Sequence, residues 1–292
     1  MLPFQIIKKE AINKGWSGDE KYCVTDEKGQ KYLLRTAPIG QLDNKRMEFA
    51  WMQKAQELNI PMCRPICMDE NETQVITVHS WVDGQDAEDV VPALLEEVQY
   101  RYGYNAGQCL KKLHSLPAPE WVPEWEDRFN QKIDRKIGMY LECPLKYEGG
   151  EAFIEYLNRN RHLLKNRPLT FQHGDYHIGN MMIGNDGRLY VIDFNRFDFG
   201  DPWEEFNRIV WCGQKAPVFA AGMVDGYFDG RVPEEFWALL ALYIASNALG
   251  SLPWAIPFGE EEIQVMIKQG QDVLSWYDHM QSIVPSWYKK KP

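Results

Sequence analysis

The sequence lacks the cysteine spacings that build metal sites. Its six cysteines include no Cys-x-x-Cys motif, and Cys63 and Cys67 have no second cluster with which to complete a zinc site. An apolar signal core is also missing near the start, where Lys8, Lys9 and Glu10 stand. These absences favour reduced, packed thiols, so we expect a cytoplasmic protein.

Positive charge is in short supply as well. The chain has 32 Lys and Arg against 42 Asp and Glu, a net charge of −10, which argues against nucleic acid as a partner. This charge is compatible with a cationic small substrate, or with plain solubility. No internal repeat or low-complexity linker is present. With 45% hydrophobic and 13% aromatic residues, the 292-residue chain has a globular composition and predicts two domains or one bilobal unit.

One apolar run needs a membrane test. Residues 236–258 contain no charged side chain and are long enough to span a bilayer. Gly250, Pro253 and Pro257 interrupt the run. We therefore predict a buried helix over 233–249 followed by a loop, with a membrane span as the alternative.

The chemistry is concentrated in residues 171–201. After an apolar strand that ends at Phe171, the chain reads Gln-His-Gly-Asp-Tyr-His-Ile-Gly-Asn and later Val-Ile-Asp-Phe-Asn. Kinase catalytic loops have the pattern H-R-D-x-x-x-x-N followed by D-F-G. His173, Asp175, Asn180 and Asp193 stand at that spacing, which indicates phosphoryl transfer.

Local structure explains why this spacing works. Asn-Asp-Gly at 185–187 predicts a hairpin turn, because Asn and Gly tolerate positive φ. The returning strand 189–192 then brings Asp193 beside Asn180. One amide and one carboxylate suit Mg²⁺, which takes further oxygens from substrate phosphates. Asp175 remains free to orient an acceptor hydroxyl.

A zinc site is the alternative interpretation of the same segment. His173, Asp175 and His177 are plausible zinc ligands. That interpretation leaves Asn180 and Asp193 without roles. We therefore expect His173 to brace the loop and His177 to line the site or simply to pack.

The first part of the chain predicts strands around one helix. Strands are expected at 21–25 and 31–35, after a Gly-Trp-Ser-Gly-Asp turn at 15–19. Backbone N–H groups at Gly15, Ser17 and Gly18 could face nucleotide phosphates, although two glycines can also make only a turn.

Arg35 ends the second of these strands, where kinases place a phosphate-contacting Lys. Arg can engage phosphate through its fork of donors, but it differs from Lys in reach and geometry. An amphipathic helix is predicted over 43–58, and Glu48 on it is the expected partner of Arg35. The alternative is that Glu48 is a solvated helix charge.

After the predicted buried strand 75–78, the sequence pattern changes from that of strands to that of helices. Ser80, Trp81 and Val82 are predicted to form a hinge that presents backbone groups to a purine, with Trp81 either walling the pocket or packed. This divides the chain into a nucleotide-binding lobe, 1–83, and a lobe with the catalytic loop and acceptor site, 84–292. Helices are predicted at 88–114, 125–140, 151–165, 202–213, 233–249 and 260–283.

Together these motifs resemble the aminoglycoside phosphotransferase, or choline-kinase-like, family. The matching segments are His-Gly-Asp-Tyr-His-Ile-Gly-Asn at 173–180, Val-Ile-Asp-Phe at 191–194, Gly-Asp-Pro at 200–202, the helix end 110–116 and Trp-Val-Asp-Gly at 81–84. The resemblance implies an α+β, bilobal, protein-kinase-like fold with a small N-terminal antiparallel sheet lobe containing one helix and a large, mainly helical C-terminal lobe. It also implies a nucleoside triphosphate and Mg²⁺, with Asp175 as catalytic base and Asn180 and Asp193 as metal ligands.

The chain departs from the family pattern at three places. Arg35 replaces Lys, the loop at Gly15 lacks a complete G-x-G-x-x-G, and Glu205 stands where Asp is usual. Because the family phosphorylates varied small alcohols, the motifs indicate the reaction and leave the acceptor open.

Acceptor contacts are expected from the helical lobe. His177, Asp201 and Glu205 are the candidate contacts of the acceptor. Acidic residues that could hold a polycationic aminocyclitol, or could only cap and solvate helices, are Glu204, Glu205, Asp225, Asp229, Glu234, Glu235 and the run 260–262. Aromatic residues that could wall an apolar or quaternary-ammonium pocket, or pack in the core, are Trp203, Trp211, Tyr227, Trp254 and Trp287.

The sequence thus predicts a small-molecule O-phosphotransferase that uses ATP or GTP, with an aminoglycoside-like acceptor first. The alternatives are a metabolic alcohol kinase for a choline-, sugar- or homoserine-type acceptor, and a nucleotide-binding module without catalysis. The role in the host is either antibiotic resistance or metabolism.

Overall fold

Five antiparallel strands in the order β1-β2-β3-β5-β4 form the main sheet. The computed structural model describes residues 2–13 and 18–289. The strands are β1 (Ile6–Ala11), β2 (Glu20–Asp26), β3 (Lys31–Pro38), β4 (Pro65–Glu70) and β5 (Gln74–Ser80). Gly15 and Ser17 of the predicted phosphate loop lie outside the described residues.

Cross-strand packing holds the sheet together. Leu34 of β3 pairs with Tyr22 of β2 and with Val78 of β5. Because alternate residues of a strand face the same side, Leu34 and Val78 bury one face together with Val24. At the β2–β3 turn, the Asp26 carboxylate accepts the N–H groups of residues 28 and 30.

One helix, α1 (Leu42–Glu57), follows the third strand, close to the predicted 43–58. Its buried residues are Lys45, Glu48, Trp51, Met52 and Ala55, which recur with helical spacing. Two of the five are charged, so the buried face of this helix carries an internal ion pair as well as apolar contacts.

A second, three-stranded sheet contains the predicted hairpin. Its strands are β6 (Gly84–Asp86), β8 (Met181–Gly184) and β9 (Leu189–Val191), in the order β6-β8-β9. Gly187 has a φ of +75°, as the tight turn requires. Val191 exchanges backbone hydrogen bonds with Pro61 and Cys63, which attaches the hairpin to the N-terminal strands.

These contacts decide how the chain divides. One compact unit comprises the chain up to Ala87 together with Asn180–Phe197, and the other comprises Glu88–Gly179 and the chain from Asp198 onward. The units differ from the predicted stretches 1–83 and 84–292, because residues 84–87 and 180–197 join the first unit. Hydrogen bonding of β8 to β6 is the physical reason.

The second unit is mainly helical. Its strands, β7 (Thr170–Gln172) and β10 (Asp198–Gly200), pair antiparallel. The helices, the first of which begins at the last residue of the first unit, are α2 (Ala87–Val90), α3 (Glu96–Leu113), α4 (Trp125–Glu142), α5 (Glu151–Asn160), α6 (Ile209–Lys215), α7 (Pro217–Phe228), α8 (Glu234–Ala255) and α9 (Glu260–Trp276). An antiparallel sheet with one helix, followed by a mainly helical part, confirms the predicted α+β class.

Glycines bring α3 and α7 into close contact. A Cβ atom added at Gly103 would lie 2.0 Å from the carbonyl oxygen of Phe219, and one at Gly107 would lie 2.1 Å from that of Met223. On the other helix, Gly222 and Gly226 meet the backbone of α3 equally closely. Two G-x-x-x-G faces therefore pack backbone against backbone.

The apolar run lies in α8, which is the core helix of the second unit. The stretch Glu234–Phe258 is long and apolar enough to cross a membrane, but 67% of its apolar window is buried within the protein, as in the core helix of a soluble fold. The helix continues to Ala255, past the predicted end at residue 249, and holds Pro253 in its last turn. The buried-helix prediction is thus confirmed and its boundary was too short.

Candidate active site

The loop after β7 carries the first group of candidate residues. Gly174 has a φ of +83°, and its N–H points to both carboxylate oxygens of Glu205, at 3.0 and 3.1 Å. The Asp175 N–H donates to Nδ1 of His173 at 3.3 Å. His173 is fully buried, so it holds the loop from the inside and leaves Asp175 as the carboxylate that can meet a substrate.

Asp175 lies between two basic side chains. Its Oδ1 is 3.3 Å from Nε of Arg208 and 3.7 Å from Nε2 of His177. The side chain keeps 16% of its surface exposed. The Asp175 carboxylate is therefore an oxygen acceptor that a substrate hydroxyl could reach from the exposed side.

Arg208 was not identified from the sequence. It follows the Gly-Asp-Pro segment and stands at the end of a 3₁₀ turn, Glu204–Arg208. The available signal was its position three residues after Glu205: a helical turn that fixes Glu205 under the loop also brings residue 208 to the same side.

Two predicted acceptor contacts need correction. The Glu205 side chain is 1% exposed, and its carboxylate accepts a hydrogen bond from the N–H of Gly174. Asp201 is completely buried and accepts bonds from Arg167 at 2.6 Å and from the Tyr243 hydroxyl at 2.5 Å. Both carboxylates are satisfied inside the protein, so they stabilise the catalytic loop and do not reach an acceptor.

The remaining predicted contact, His177, stays near the surface of the loop. Its ring is 18% exposed, its Nδ1 accepts the N–H of Gly179 at 3.1 Å, and it packs at 6.0 Å from the Trp211 ring. Nε2 faces Asp175. The geometry fits a residue that lines the site and orients the loop.

The first unit contains the predicted metal ligands. The N–H of Ile192 donates to the backbone oxygen of Asn180 at 3.0 Å, so the residue before Asp193 lies directly against Asn180. Asp193 adopts a left-handed conformation with φ of +65°, which Asp tolerates better than most residues. The amide and the partly exposed carboxylate are oxygen donors of the kind that Mg²⁺ prefers, so these residues fit the ion.

Arg35 makes direct contact with the candidate metal ligand. Its Nη1 lies 2.6 Å from Oδ1 of Asp193, and its Nε lies 2.9 Å from Oδ2 of Asp19. Lys21, the cross-strand neighbour of Arg35, stands 3.8 Å from the other Asp193 oxygen. Burial lowers the pKa of Lys21, although Asp193 opposes the shift. Two cations therefore face the Asp193 carboxylate.

The predicted pairing of Arg35 with Glu48 was wrong. Glu48 is bound by Lys45, one turn earlier on α1, with 2.9 Å between Nζ and Oε2. Lys45 also lies 2.7 Å from Asp19, which thereby bridges Lys45 and Arg35. Sequence reasoning missed Lys45 and Asp19, because their contacts depend on which face of α1 packs on the sheet.

The predicted hinge residues lie at the end of β5. Ser80 and Arg64 exchange two hydrogen bonds, both of 2.8 Å: the Ser80 N–H donates to the Arg64 oxygen, and the Ser80 hydroxyl accepts the Arg64 N–H. The Ser80 N–H is therefore not available to a purine. The Trp81 indole donates to Asp83 at 3.1 Å.

A cavity of about 720 Å³ within the first unit is lined by Ser80, Trp81 and Val82 together with residues of the 184–190 hairpin. The sequence left open whether Trp81 walls a pocket or packs, and the structure places it in this lining. Gly18, the described residue of the predicted phosphate loop, has no atom within 4 Å of an added Cβ.

The zinc alternative is not supported. In residues 2–13 and 18–289, no group of three or more His, Cys, Asp or Glu side chains could hold a metal ion. His173 is buried with Nδ1 facing the Asp175 N–H, which removes it from the proposed ligand set.

Most acidic residues considered for a polycationic acceptor have partners inside the second unit. Glu204 pairs with Lys132 at 2.9 Å, and Asp229 with Lys111 at 2.5 Å. Asp225 accepts the hydroxyls of Tyr100 and Tyr288. Trp203 packs against the Arg167 guanidinium and belongs to an aromatic core cluster.

Three solved structures show the same fold. An amicoumacin kinase in complex with AMP-PNP, Ca²⁺ and its ligand "Ami" is 12% identical, with 98% of this chain and 92% of that chain covered and a TM-score of 0.67. A thermostable mutant of the aminoglycoside phosphotransferase APH(4)-Ia, in ternary complex with ADP and hygromycin B, is 14% identical (92% and 94% covered, TM-score 0.65). A choline/ethanolamine kinase family protein from Mesorhizobium loti is 14% identical (94% and 92% covered, TM-score 0.65).

These likenesses confirm the predicted kinase-like fold. A comparison with curated protein sequences gave no match. The model of the phosphotransferase enzyme family, APH, matches residues 9–237, which is well over half of the chain. The chain therefore belongs to the phosphotransferase enzyme family and is a kinase-like phosphotransferase that acts on hydroxyl acceptors.

Proposed function

We propose that this phosphotransferase moves the γ-phosphoryl group of ATP or GTP to a hydroxyl of a small molecule, with Mg²⁺ as the metal. The observation that carries the proposal is the setting of Asp175: a carboxylate on a braced loop, partly exposed and 3.3 Å from the Arg208 guanidinium. A carboxylate in this position can orient a hydroxyl and accept its proton.

Asp175 would orient the acceptor hydroxyl and take its proton. The hydroxyl oxygen forms a bond to the γ-phosphorus, and the bond from that phosphorus to the oxygen of the leaving diphosphate breaks. Arg208 would pair with this carboxylate. Because Glu205 holds the Gly174 N–H from below, the loop keeps Asp175 in place without reorganisation.

Asn180 and Asp193 would hold the metal ion. When bound, Mg²⁺ neutralises charge on the phosphate oxygens. Arg35 and Lys21 flank Asp193 and would contact phosphate oxygens from the same side of the sheet. The Arg35 fork supplies donors where Lys is usual, so its departure from the family pattern is compatible with nucleotide binding.

For the acceptor, the sequence favours an aminoglycoside-like molecule, and a similar structure contains hygromycin B. A metabolic alcohol kinase for a choline-, sugar- or homoserine-type acceptor is the second candidate. The pairing of Glu204 with Lys132 and of Asp225 with Tyr100 favours this second candidate, because these two carboxylates are not free to hold a polycation. The six free thiols fit a cytoplasmic location.

Product detection by mass spectrometry tests the proposal. Aminoglycosides, macrolides, choline, homoserine and sugars are incubated with ATP or GTP and Mg²⁺. We expect Asp175→Asn to lower kcat by about 10²- to 10⁴-fold with little change in the KM for nucleotide. Asp193→Asn, which keeps the left-handed backbone accessible, should instead lower turnover and raise the Mg²⁺ concentration needed for half-maximal turnover.

Asp134→Asn is the matched control, because Asp134 is exposed and pairs with Arg161 on the surface. Full activity of Asp175→Asn with a normal unfolding curve would overturn its role as base. Nucleotide binding without transfer to any acceptor would support the binding-module alternative.

A further inference from the structure

Helix α4 carries a row of cations. Arg128, Lys132 and Lys136 are spaced four residues apart, so they share one side of the helix. The stem of Lys136 lies against α8, since a Cβ added at Gly250 would be 3.0 Å from the Lys136 Cε atom. The row therefore runs along the junction of α4 and α8 within the second unit.

The first members of the row have carboxylate partners. Arg128 stands 3.6 Å from Asp198, and Lys132 is 2.9 Å from Glu204. Arg208, from the 3₁₀ turn that also contains Glu204, takes the Asp175 carboxylate at 3.3 Å. Three cations thus use three carboxylates.

Lys136 has no such partner. Within the part of the chain that the structure describes, it makes neither an ion pair nor a hydrogen bond, and its side chain is half-buried. The charged groups that face it are Lys132 and Arg135 from its own helix, and Glu204 and Arg208 from the turn. Helix α8 contributes no charged side chain near Gly250.

Burial, together with the positive charges of Lys132 and Arg208, lowers the pKa of Lys136 to about 7, and Glu204 offsets this only in part. The named groups therefore comprise five cations, counting Arg135, and three carboxylates, so the charged form of Lys136 is disfavoured without an added anion. A bound anion would restore the charge balance.

Arg208 offers a second, independent sign of an unfilled position. Its Nε is buried and lies outside hydrogen-bonding geometry to any described atom, although the Asp175 oxygen is within ion-pair distance. The Asp175 carboxylate alone therefore does not give this buried N–H a well-aligned hydrogen bond. A ligand oxygen beside Asp175 would satisfy it.

We propose that Lys132, Lys136 and Arg208 form a subsite for an oxyanion, a carboxylate or a phosphate group, carried by the acceptor molecule. This inference rests on the proposed function, because Arg208 ties the subsite to the Asp175 carboxylate. It names a class of acceptor: an alcohol with an anionic group. A polycation would meet an unpaired lysine and two further cations, so it is the acceptor class that this cluster disfavours.

The first experiment measures binding and needs no turnover. Lysines are converted to ¹³C-dimethyl-lysines, the Lys136 signal is assigned with Lys136→Arg, and its titration is followed by NMR in the presence of AMP-PNP and Mg²⁺. We expect glycerate, glycerol 3-phosphate and inorganic phosphate to raise the titration midpoint of Lys136 by about one pH unit, a tenfold preference for the protonated form. Glycerol and choline should leave it unchanged.

Comparison of glycerate with glycerol 3-phosphate and inorganic phosphate shows which oxyanion the subsite takes. A Lys136 midpoint that is the same with all of these probes would overturn the proposal. The proposal would also be overturned if the signal of the exposed Lys111, which pairs with Asp229 on the surface, shifted as strongly as that of Lys136.

The second experiment uses acceptors that the product panel identifies. Lys136→Met should raise the KM for an anionic acceptor about 10- to 100-fold, leave the KM for nucleotide unchanged, and be rescued in large part by Lys136→Arg. Lys111→Met is the matched control. Efficient transfer to a cationic aminoglycoside that is insensitive to Lys136→Met would overturn the subsite while the phosphotransferase proposal stands.

Failure of the proposed function is a separate result. If the proposed function fails, Asp175→Asn retains full activity. In that case the NMR titration of Lys136 still tests the subsite independently.

Discussion

At the residue scale, contacts set by a single hairpin or turn were predicted correctly from the sequence. The hairpin at 185–187 brings Asp193 back to Asn180, because turn chemistry and strand length are local properties. The partner of Arg35 was not predictable in this way. The contact of Arg35 with Asp19 depends on the fold of the whole sheet. Glu48 pairs instead with Lys45, its neighbour one turn away on α1.

His79 illustrates a residue whose chemistry only burial reveals. It lies on β5 with 3% of its surface exposed, and its Nε2 contacts the Thr77 hydroxyl at 3.1 Å. Burial, assisted by the positive charges of Arg35 and Lys45, lowers its pKa to about 3. The folded protein therefore keeps His79 neutral at pH values where an unfolded chain would protonate it.

This predicts a loss of stability in mild acid. The unfolded histidine takes up a proton near pH 6.5 and the folded one near pH 3, so unfolding binds more protons in this window and stability falls as the pH drops through it. Between pH 7 and 5 the loss is about 2 kcal/mol. Urea unfolding at pH 7 and pH 5 measures it, and in His79→Phe this part of the pH dependence should disappear. An unchanged difference between the two pH values in the variant would contradict the assignment.

At the scale of elements, α7 was the helix that the sequence reading missed. Residues 217–228 are apolar on nearly every side, so no amphipathic period marks them as a helix. The signal that was present was a pair of G-x-x-x-G spacings, at 103–107 and at 222–226. Recognition of this pair would have predicted both α7 and its packing partner. Helix α8 ran past its predicted end because a proline in the last turn is tolerated where the apolar surface is still buried.

The α3–α7 contact makes a prediction about packing. Gly107→Ala places a Cβ 2.1 Å from a backbone oxygen of α7, which cannot move without separating the helices. We expect a destabilisation of about 1–3 kcal/mol or more, seen as a lower midpoint in thermal or urea unfolding. Gly138→Ala in α4 is the control: nothing lies within 4 Å of its added Cβ, so it should be neutral or stabilising by up to about 1 kcal/mol. Equal midpoints for the two variants would argue against close packing at Gly107.

At the scale of the whole molecule, ligand binding should be visible as stability. A nucleotide with Mg²⁺ that binds the folded state alone, at 100 times its Kd, adds about 2.7 kcal/mol. We expect AMP-PNP with Mg²⁺ to raise the melting temperature, and the Mg²⁺-dependent part of the shift to vanish in Asp193→Asn. Differential scanning fluorimetry with and without EDTA measures this. An identical Mg²⁺-dependent shift in the variant would mean that the ion is held by other residues.

The general architecture and the reaction class were predictable because they depend on motif spacing and on the alternation of strands and helices. The acceptor class stays a prediction: Glu204 and Asp225, two of the acidic residues that pointed to a polycation, have partners within the second unit, whereas Asp229 pairs with Lys111 at the surface. The choice of acceptor depends on which side chains meet across α4, α8 and the turn at 204–208, and sequence spacing alone does not encode these contacts.

The return of residues 180–197 to the first unit has a consequence for biosynthesis. Strands up to residue 87 leave the ribosome first, but the hairpin that completes their unit is made 110 residues later (197 − 87). At about 5–20 residues per second, the nascent N-terminal part waits roughly 5–20 s for β8 and β9. During that interval the edges of Gly84–Asp86 and of the Pro61–Cys63 backbone are unpaired. Chaperone demand and aggregation during expression should therefore peak before residue 197 is translated, and synonymous codons that slow this stretch should lower the yield of folded protein.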